Sequence, residues 1–365
     1  MPYLNRNEIK DLILKKSIKS VNKINNNQLQ PASLDLTIST ICYRIKASFI
    51  PNEMSVSSIL KDLVLNKIDL KNEFLLEKGC IYLCEINEYL NLPIDIKGKS
   101  NPKSTTGRLD IFTRIITEKG SEYDYIDYNY KGKLYLEIIP QSFSIKIKKN
   151  ISLNQIRFYQ GKENESIQRK QKISVSIKKN FVSAYKAKKI TSSINLRKIN
   201  YYKKSLYWEE IIPNDNSFII EKDEFYILRS KELISIPRNN AAELEPYKDS
   251  FGNFRVHYAG FFDPGFGYTN GIPAVLELRA YDTPFIIRDG QLVGQLNYYD
   301  INLVKNFSYG KSIKSNYHKQ SLKPKNKTLI IEKNKFYILK SREKIRIPND
   351  LAGEMIAYDT GIGDF

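Results

Sequence analysis

The sequence predicts an all-β protein of the barrel or sandwich type, and three observations carry that reading. Tyr occurs 25 times in 365 residues, within a 41% hydrophobic composition large enough to fill sizeable cores, and aromatic and β-branched residues suit pleated, half-buried surfaces. Ile-rich stretches alternate apolar with polar, the period of a strand with one face buried. From about residue 30 to residue 160 such stretches are short and separated by turn residues, with little helical periodicity.

In chain order, residues 7–19 carry Ile9, Leu12 and Ile13 at helical spacing behind Asn5 or Asn7 as a possible cap, so a short N-terminal helix is expected. Gln30-Pro31-Ala32-Ser33-Leu34-Asp35-Leu36-Thr37-Ile38 then alternates like a strand. The chain next shows an internal repeat. Leu75-Leu76-Glu77-Lys78-Gly79-Cys80-Ile81-Tyr82-Leu83 corresponds to Ile219-Ile220-Glu221-Lys222-Asp223-Glu224-Phe225-Tyr226-Ile227 and to Ile330-Ile331-Glu332-Lys333-Asn334-Lys335-Phe336-Tyr337-Ile338. Each copy runs without a gap to a proline, at Pro93, Pro237 and Pro348. Ser174-Val175-Ser176-Ile177 echoes Ser33-Leu34-Asp35-Leu36, and Asn154-Gln155-Ile156 echoes Gly294-Gln295-Leu296. Two tandem β domains are therefore expected, roughly 1–165 and 166–322, with few short helices. Residues 323–365 form a partial third repeat, because 330–365 match 219–254 and stop short of a complete unit. So short a segment cannot bury a core of its own. It is expected to be dispensable, an expectation that loss of activity in a folded protein lacking 323–365 would contradict.

Composition narrows the function classes. No run of eighteen apolar residues is present, so no membrane span is expected, and the N-terminus leads into no apolar signal segment. Cys42, Cys80 and Cys84 are an odd, sparse set, read as reduced thiols in the cytoplasm. His257 and His318 are the only histidines, which disfavours a metal centre built from His and Cys. The net charge of +18 is spread with Asn and Ile along the chain. It reads as a solvated basic face rather than a nucleic-acid surface, and the same field attracts a smaller anion such as a nucleotide.

Candidate chemistry lies in three places. Asn101-Pro102-Lys103-Ser104-Thr105-Thr106-Gly107-Arg108 packs two cations, three hydroxyls and a glycine into one loop that can meet phosphate. It lacks the spaced glycines of a P-loop, and a plain surface turn also explains it. The corresponding segment of the second repeat, Glu245-Pro246-Tyr247-Lys248-Asp249-Ser250, has lost the paired basic residues. In the first repeat Asp127 sits in a turn ahead of Glu137, and in the second Asp263 in Asp-Pro-Gly precedes Glu277. Glu277 shares a strand face with Val275 and Arg279. It is either a rim residue paired with Arg279 or a pocket carboxyl whose desolvation suits it to acid–base work.

Together these motifs resemble the deoxycytidine triphosphate deaminases of the dUTPase-like superfamily, in their double-length bacterial form, over about residues 1–322. Lys103-Ser104-Thr105-Thr106-Gly107-Arg108 is similar to the family's Arg-Ser-Ser-x-x-Arg loop, with Lys for the first Arg. Phe262-Asp263-Pro264-Gly265-Phe266 is similar to its Ile-Asp-Pro-Gly-Trp turn, and Glu277 falls at its catalytic Glu after an insertion at 267–273. Tyr309, Tyr317 and Gln320 fall on its C-terminal lid, with Asn316 in place of a Lys, and residues 30–36 on its N-terminal strand signature.

The resemblance implies two dUTPase-like distorted β-barrels and hydrolysis of dCTP to dUTP and ammonia without zinc. In that reading Glu277 shuttles protons, Ser104 and the backbone at Ala259 position the water, and Arg108 stabilises charge. Lys103, Ser104 and Thr105 hold the triphosphate with Mg2+. Asp263 contacts the deoxyribose, Val275 lines the substrate, and Tyr309, Tyr317 and Gln320 close over it. A homo-oligomer and inhibition by dTTP are further implications. The loop is intact only in the first repeat, and the Asp-Pro-Gly turn and lid only in the second. A composite site is therefore expected, and its rival pairs 103–108 with Asp127 and Glu137 of first domains in a symmetric trimer. The alternatives in function are a dUTP diphosphatase or bifunctional enzyme, suggested by Asp127-x-x-Tyr130-x-Gly132, and a non-catalytic nucleotide-binding regulator.

Overall fold

The computed structural model describes residues 3–161, 167–246, 254–256, 260–267, 270–280 and 282–301. The expected first helix spans Arg6–Leu14, shorter than the periodicity suggested. Asn5 is its cap: its side chain accepts from the Asn7 and Glu8 amides, while Glu8 returns a bond to the Asn5 amide at 2.7 Å. Ile9 and Leu12 are buried, and Lys16, in left-handed backbone, turns the chain away. A second helix, Val56–Leu63, capped by Ser55, was not legible as a separate element.

Strands dominate the rest. In the first half, five strands run in the spatial order Val64–Asp69, Ile38–Ile45, Ile81–Asn91, Lys131–Pro140, Ile111–Thr117, and Ile18–Ser20 also pairs with Ile81–Asn91. A four-stranded sheet takes Leu34–Leu36, Asn154–Gln160, Ile96–Pro102 and Tyr125–Ile126. One core draws on both sheets, with Leu34, Ile126, Ile156 and Phe158 beside Ile38, Tyr82, Ile115 and Leu136. The second half repeats the plan. Trp208–Ile211, Ala184–Ala187, Phe225–Ile234, Ile272–Ala280 and Phe254–Val256 form one sheet, and Ile167–Ser174, Leu292–Asp300, Asn240–Pro246 and Gly260–Phe262 the other. A second core includes Val175, Tyr226, Leu276, Leu278 and Leu296.

Register makes the correspondence specific. Leu83 and Ile227 hold the same place in the repeat, and Glu137 pairs opposite Leu83 as Glu277 does opposite Ile227. Asp127 follows Ile126, which pairs with Gly98, as Asp263 follows Phe262, which pairs with Ala242.

The halves also interpenetrate. Ile194–Asn195 pairs in parallel with Ile145–Ile147 of the first half, and Ala187, Ile194, Tyr207 and Phe225 join the first core. A third cluster, Tyr3, Ala32, Tyr159, Ala241, Phe261, Tyr299 and Ile301, forms the seam, with Tyr3 edge-on to three rings. Inside the seam the wholly buried Arg157 meets Glu243 at 2.9 Å, and Lys99 meets the same carboxylate at 3.2 Å. Two cations on one carboxylate offset their shared desolvation, and the Arg157 guanidinium also lies over the Phe261 ring. Among the described residues no helix is long and apolar enough to cross a membrane.

Candidate active site

Strand Ile96–Pro102 ends where proline closes its ladder. The Lys103 amide donates to the Leu153 carbonyl at 2.8 Å, and the chain makes one helical turn, Ser104–Gly107. The Lys103 carbonyl accepts from the Thr106 and Gly107 amides, and the Thr106 hydroxyl is pinned to the Leu153 carbonyl at 2.7 Å. The turn thus spends Thr106 on structure and leaves the Ser104 and Thr105 side chains exposed.

Glu277 approaches this turn from the second half. It is 7% exposed, in strand Ile272–Ala280. A β-carbon placed on Gly107 would lie 3.1 Å from its Oε2 and 3.2 Å from its Oε1, so the carboxylate rests on the glycine. Burial pushes the Glu277 carboxyl up to about 8. Arg108 pulls against that rise and Asp110 adds to it. Near neutrality the group is therefore poised between acid and base. Val275, half-buried, lies two residues earlier on the same face. Pairing of Glu277 with Arg279 is not what forms: Arg279 makes an ion pair with Asp110 and donates to the Asp223 carbonyl.

Asp263 also reaches across the seam, where its Oδ1 accepts from the Ala32 amide at 3.3 Å. Burial pushes it up to about 7, Asp35 adds to that, and Arg157 and Lys103 oppose it. Lys103 is not held open for phosphate, because its ammonium closes on Asp35, whose carboxyl is itself raised by burial. Lys103, Asp35, Asp263, Gly107, Arg108 and Glu277 thus gather from both halves of one chain.

The first-half carboxylates are engaged elsewhere. Glu137 is wholly buried, and its Oε1 takes the Arg114 Nε at 2.9 Å and Nη2 at 2.5 Å. Arg114 stacks on Tyr123 at 3.8 Å and Phe112 at 4.8 Å. Asp127 is exposed and paired with Lys97 at 3.3 Å. Ala259, Tyr309, Tyr317 and Gln320 lie outside the described residues, as do 247–250 of the second-half loop. Sequence reasoning did not single out Asp35 or Asp110 beside the candidate residues, and it offered Arg279 only as a partner of Glu277. Asp35 lay within the quoted strand stretch, whereas Asp110 carried no signal at all.

The described 2'-deoxycytidine 5'-triphosphate deaminase (DCD) N-terminal domain family matches residues 2–162. The C-terminal domain family matches 147–326 and again 323–365. A "dCTP deaminase, dUMP-forming" of Nanoarchaeum equitans is 30% identical over 172 residues, covering 43% of this chain and 83% of that protein. A dCTP deaminase of Ignicoccus hospitalis is 24% identical over 144 residues, covering 38% of this chain and 72% of that protein. The crystal structure of a 2'-deoxycytidine 5'-triphosphate deaminase from Agrobacterium tumefaciens superposes with a TM-score of 0.78 at 37% identity. That match covers 82% of this chain and 95% of the other, so it runs through both halves. The chain belongs to the dCTP deaminase family, with the dUTPase-like β fold of that family.

Proposed function

We propose that this dCTP deaminase works from a composite site within one chain, with loop 103–108 from the first half and Asp263 and Glu277 from the second. The observation that carries the reading is the contact of the Glu277 carboxylate with Gly107. Water held by the Ser104 hydroxyl attacks C4 of cytosine. Glu277 accepts the water's proton as the C4–O bond forms and hands it to the ring nitrogen N3. It then takes the proton of the new C4 hydroxyl and passes it to the amine, so that the C4–N bond breaks, C4=O forms and ammonia leaves, with dUTP remaining. A carboxyl titrating near neutrality suits both directions of transfer. Arg108, beside Glu277, stabilises charge as C4 becomes tetrahedral.

The exposed Ser104 and Thr105 hydroxyls, with Lys103 once released from Asp35, meet the triphosphate and the Mg2+ that travels with it. Asp263 accepts from the deoxyribose, and Val275 packs on the nucleoside. Inhibition by dTTP at the same site, a homo-oligomeric assembly and a cytoplasmic location complete the proposal.

The separate variants Glu277→Gln and Glu137→Gln test it. Loss of dCTP turnover is expected only in the first, and the reverse pattern overturns the composite site. The dUMP-forming activity named for the Nanoarchaeum relative supports a second reading, in which dUMP and pyrophosphate are made from dCTP. Product analysis separates the two, since dUTP alone is expected from deamination.

A further inference from the structure

Asp110 closes the loop in a costly way. It is wholly buried, and it holds left-handed backbone at φ 54, where an L side chain is strained. Its amide donates to the Gly107 carbonyl at 2.8 Å, and its own carbonyl accepts from the Gln141 amide at 2.9 Å. Its carboxylate accepts from the Ser142 hydroxyl at 2.5 Å and pairs with Arg279 of the second half. Arg279 is held from both sides, since it also donates to the Asp223 carbonyl of its own half. It stands two residues beyond Glu277, on the same strand face.

We infer that Asp110 and Arg279 are positioning residues of the composite site, their ion pair clamping the Glu277 strand against loop 103–108. The inference rests on the reading of Glu277 as the proton carrier. Neither residue touches the reacting atoms in that reading; each acts through Glu277. Burial and then Arg108 weigh most on the Glu277 carboxyl, and Asp110 of the pair adds to its rise. Among the described residues, Arg108 faces it from the loop, Asp110 from the loop's end, and Arg279 shares its strand, while its cross-strand partner Ile227 is apolar. Removing the Asp110 charge leaves Arg279 to favour ionised Glu277. Removing the Arg279 charge leaves Asp110 to oppose it. The two changes act with opposite sign.

The test measures kcat/KM for dCTP against pH in the full-length chain, for Asp110→Asn, Arg279→Gln, Arg279→Lys and Glu277→Gln, with thermal melts of each. Asn tolerates left-handed backbone, and Asp110→Gly, which relieves the strain, serves if Asn fails to fold. The limb belonging to Glu277 is expected to move down in Asp110→Asn and up in Arg279→Gln, each by about 0.5 pH unit or more. Arg279→Lys returns it toward the wild-type position. Folded variants whose limbs stay in place, or move together, overturn the clamp while an inactive Glu277→Gln leaves the composite site standing. A Glu277→Gln protein that keeps turnover overturns the site and the clamp together.

Discussion

The Glu277 carboxylate lies against Gly107, where a β-carbon would meet Oε2 at 3.1 Å, so a methyl group there requires the carboxylate to shift by a few tenths of an ångström. Gly107 lies in a helical turn, so alanine suits its backbone. Gly107→Ala should therefore fold normally, with a melting temperature within about 4 °C of the wild type, yet displace the carboxylate. Turnover of dCTP should drop roughly 10- to 100-fold, the scale of small misplacements in a reacting pair. Steady-state kinetics beside a thermal melt check this, and full activity would mean the carboxylate does no work where it sits.

Stability should depend on pH through the same group. Glu277 is pushed up to about 8, and Asp124 and Asp263 to about 7, chiefly by burial. In the unfolded chain all three ionise near pH 4. Across the window from about pH 4 to 8 the folded state binds more protons than the unfolded state. The contribution is therefore fully present below the unfolded values and is lost as pH rises through 7 and 8. Glu277→Gln removes the largest share. It should be more stable than the wild type at about pH 8.5 by a few kcal/mol, at about 1.4 kcal/mol per unit, with the gap closing toward about pH 4.5. Melts across a pH series read this directly, and a gap that stays constant with pH contradicts it.

The features that were legible in the sequence are those written locally or repeated. The Asn5 cap with Ile9 and Leu12 announced a helix, and the repeat placed Leu83 and Ile227 in register. That register carries Glu137 and Glu277 to equivalent positions. Contacts made only in space were not legible. Lys103 meets Asp35 across 68 residues and Arg279 meets Asp110 across 169, with no periodicity linking either pair. The capture of Glu137 depends on Arg114 falling directly opposite it in a neighbouring strand, and a register is set by a whole sheet. The pairing of Ile194–Asn195 with a first-half strand likewise follows from packing rather than from any local signal.

Asp35 holds the Lys103 ammonium, so in the proposed site it would compete with the triphosphate for that charge. Its carboxylate is buried, holds the ammonium, and leaves Oδ1 without a hydrogen-bond partner. Asp35→Asn removes that anion and keeps the shape. The KM for dCTP should fall roughly two- to fivefold at low salt, the scale of one unit charge close to a charged ligand. The difference should shrink at high ionic strength as screening grows. A KM that rises instead would assign Asp35 the task of aiming Lys103.

Glu137 and Glu277 are repeat equivalents in opposite states, and their Gln variants should show crossed phenotypes. The Glu137 carboxylate binds Arg114 through Oε1, and its Oε2 is buried without a partner. Gln at that position surrenders the charge that holds Arg114 and adds a buried amide. Breaking such a pair should cost about 3 kcal/mol, toward the low end because the Arg114 side chain keeps 23% exposure and stacks on Tyr123. Glu137→Gln should therefore melt earlier while retaining kcat at temperatures where it is folded. Glu277→Gln should lose turnover while gaining stability above neutral pH. Denaturant titrations paired with kinetics on both proteins make the comparison. A folded, inactive Glu137→Gln beside an active Glu277→Gln would transfer the chemistry to the rival arrangement, in which loop 103–108 serves the first-half carboxylates of a neighbouring copy.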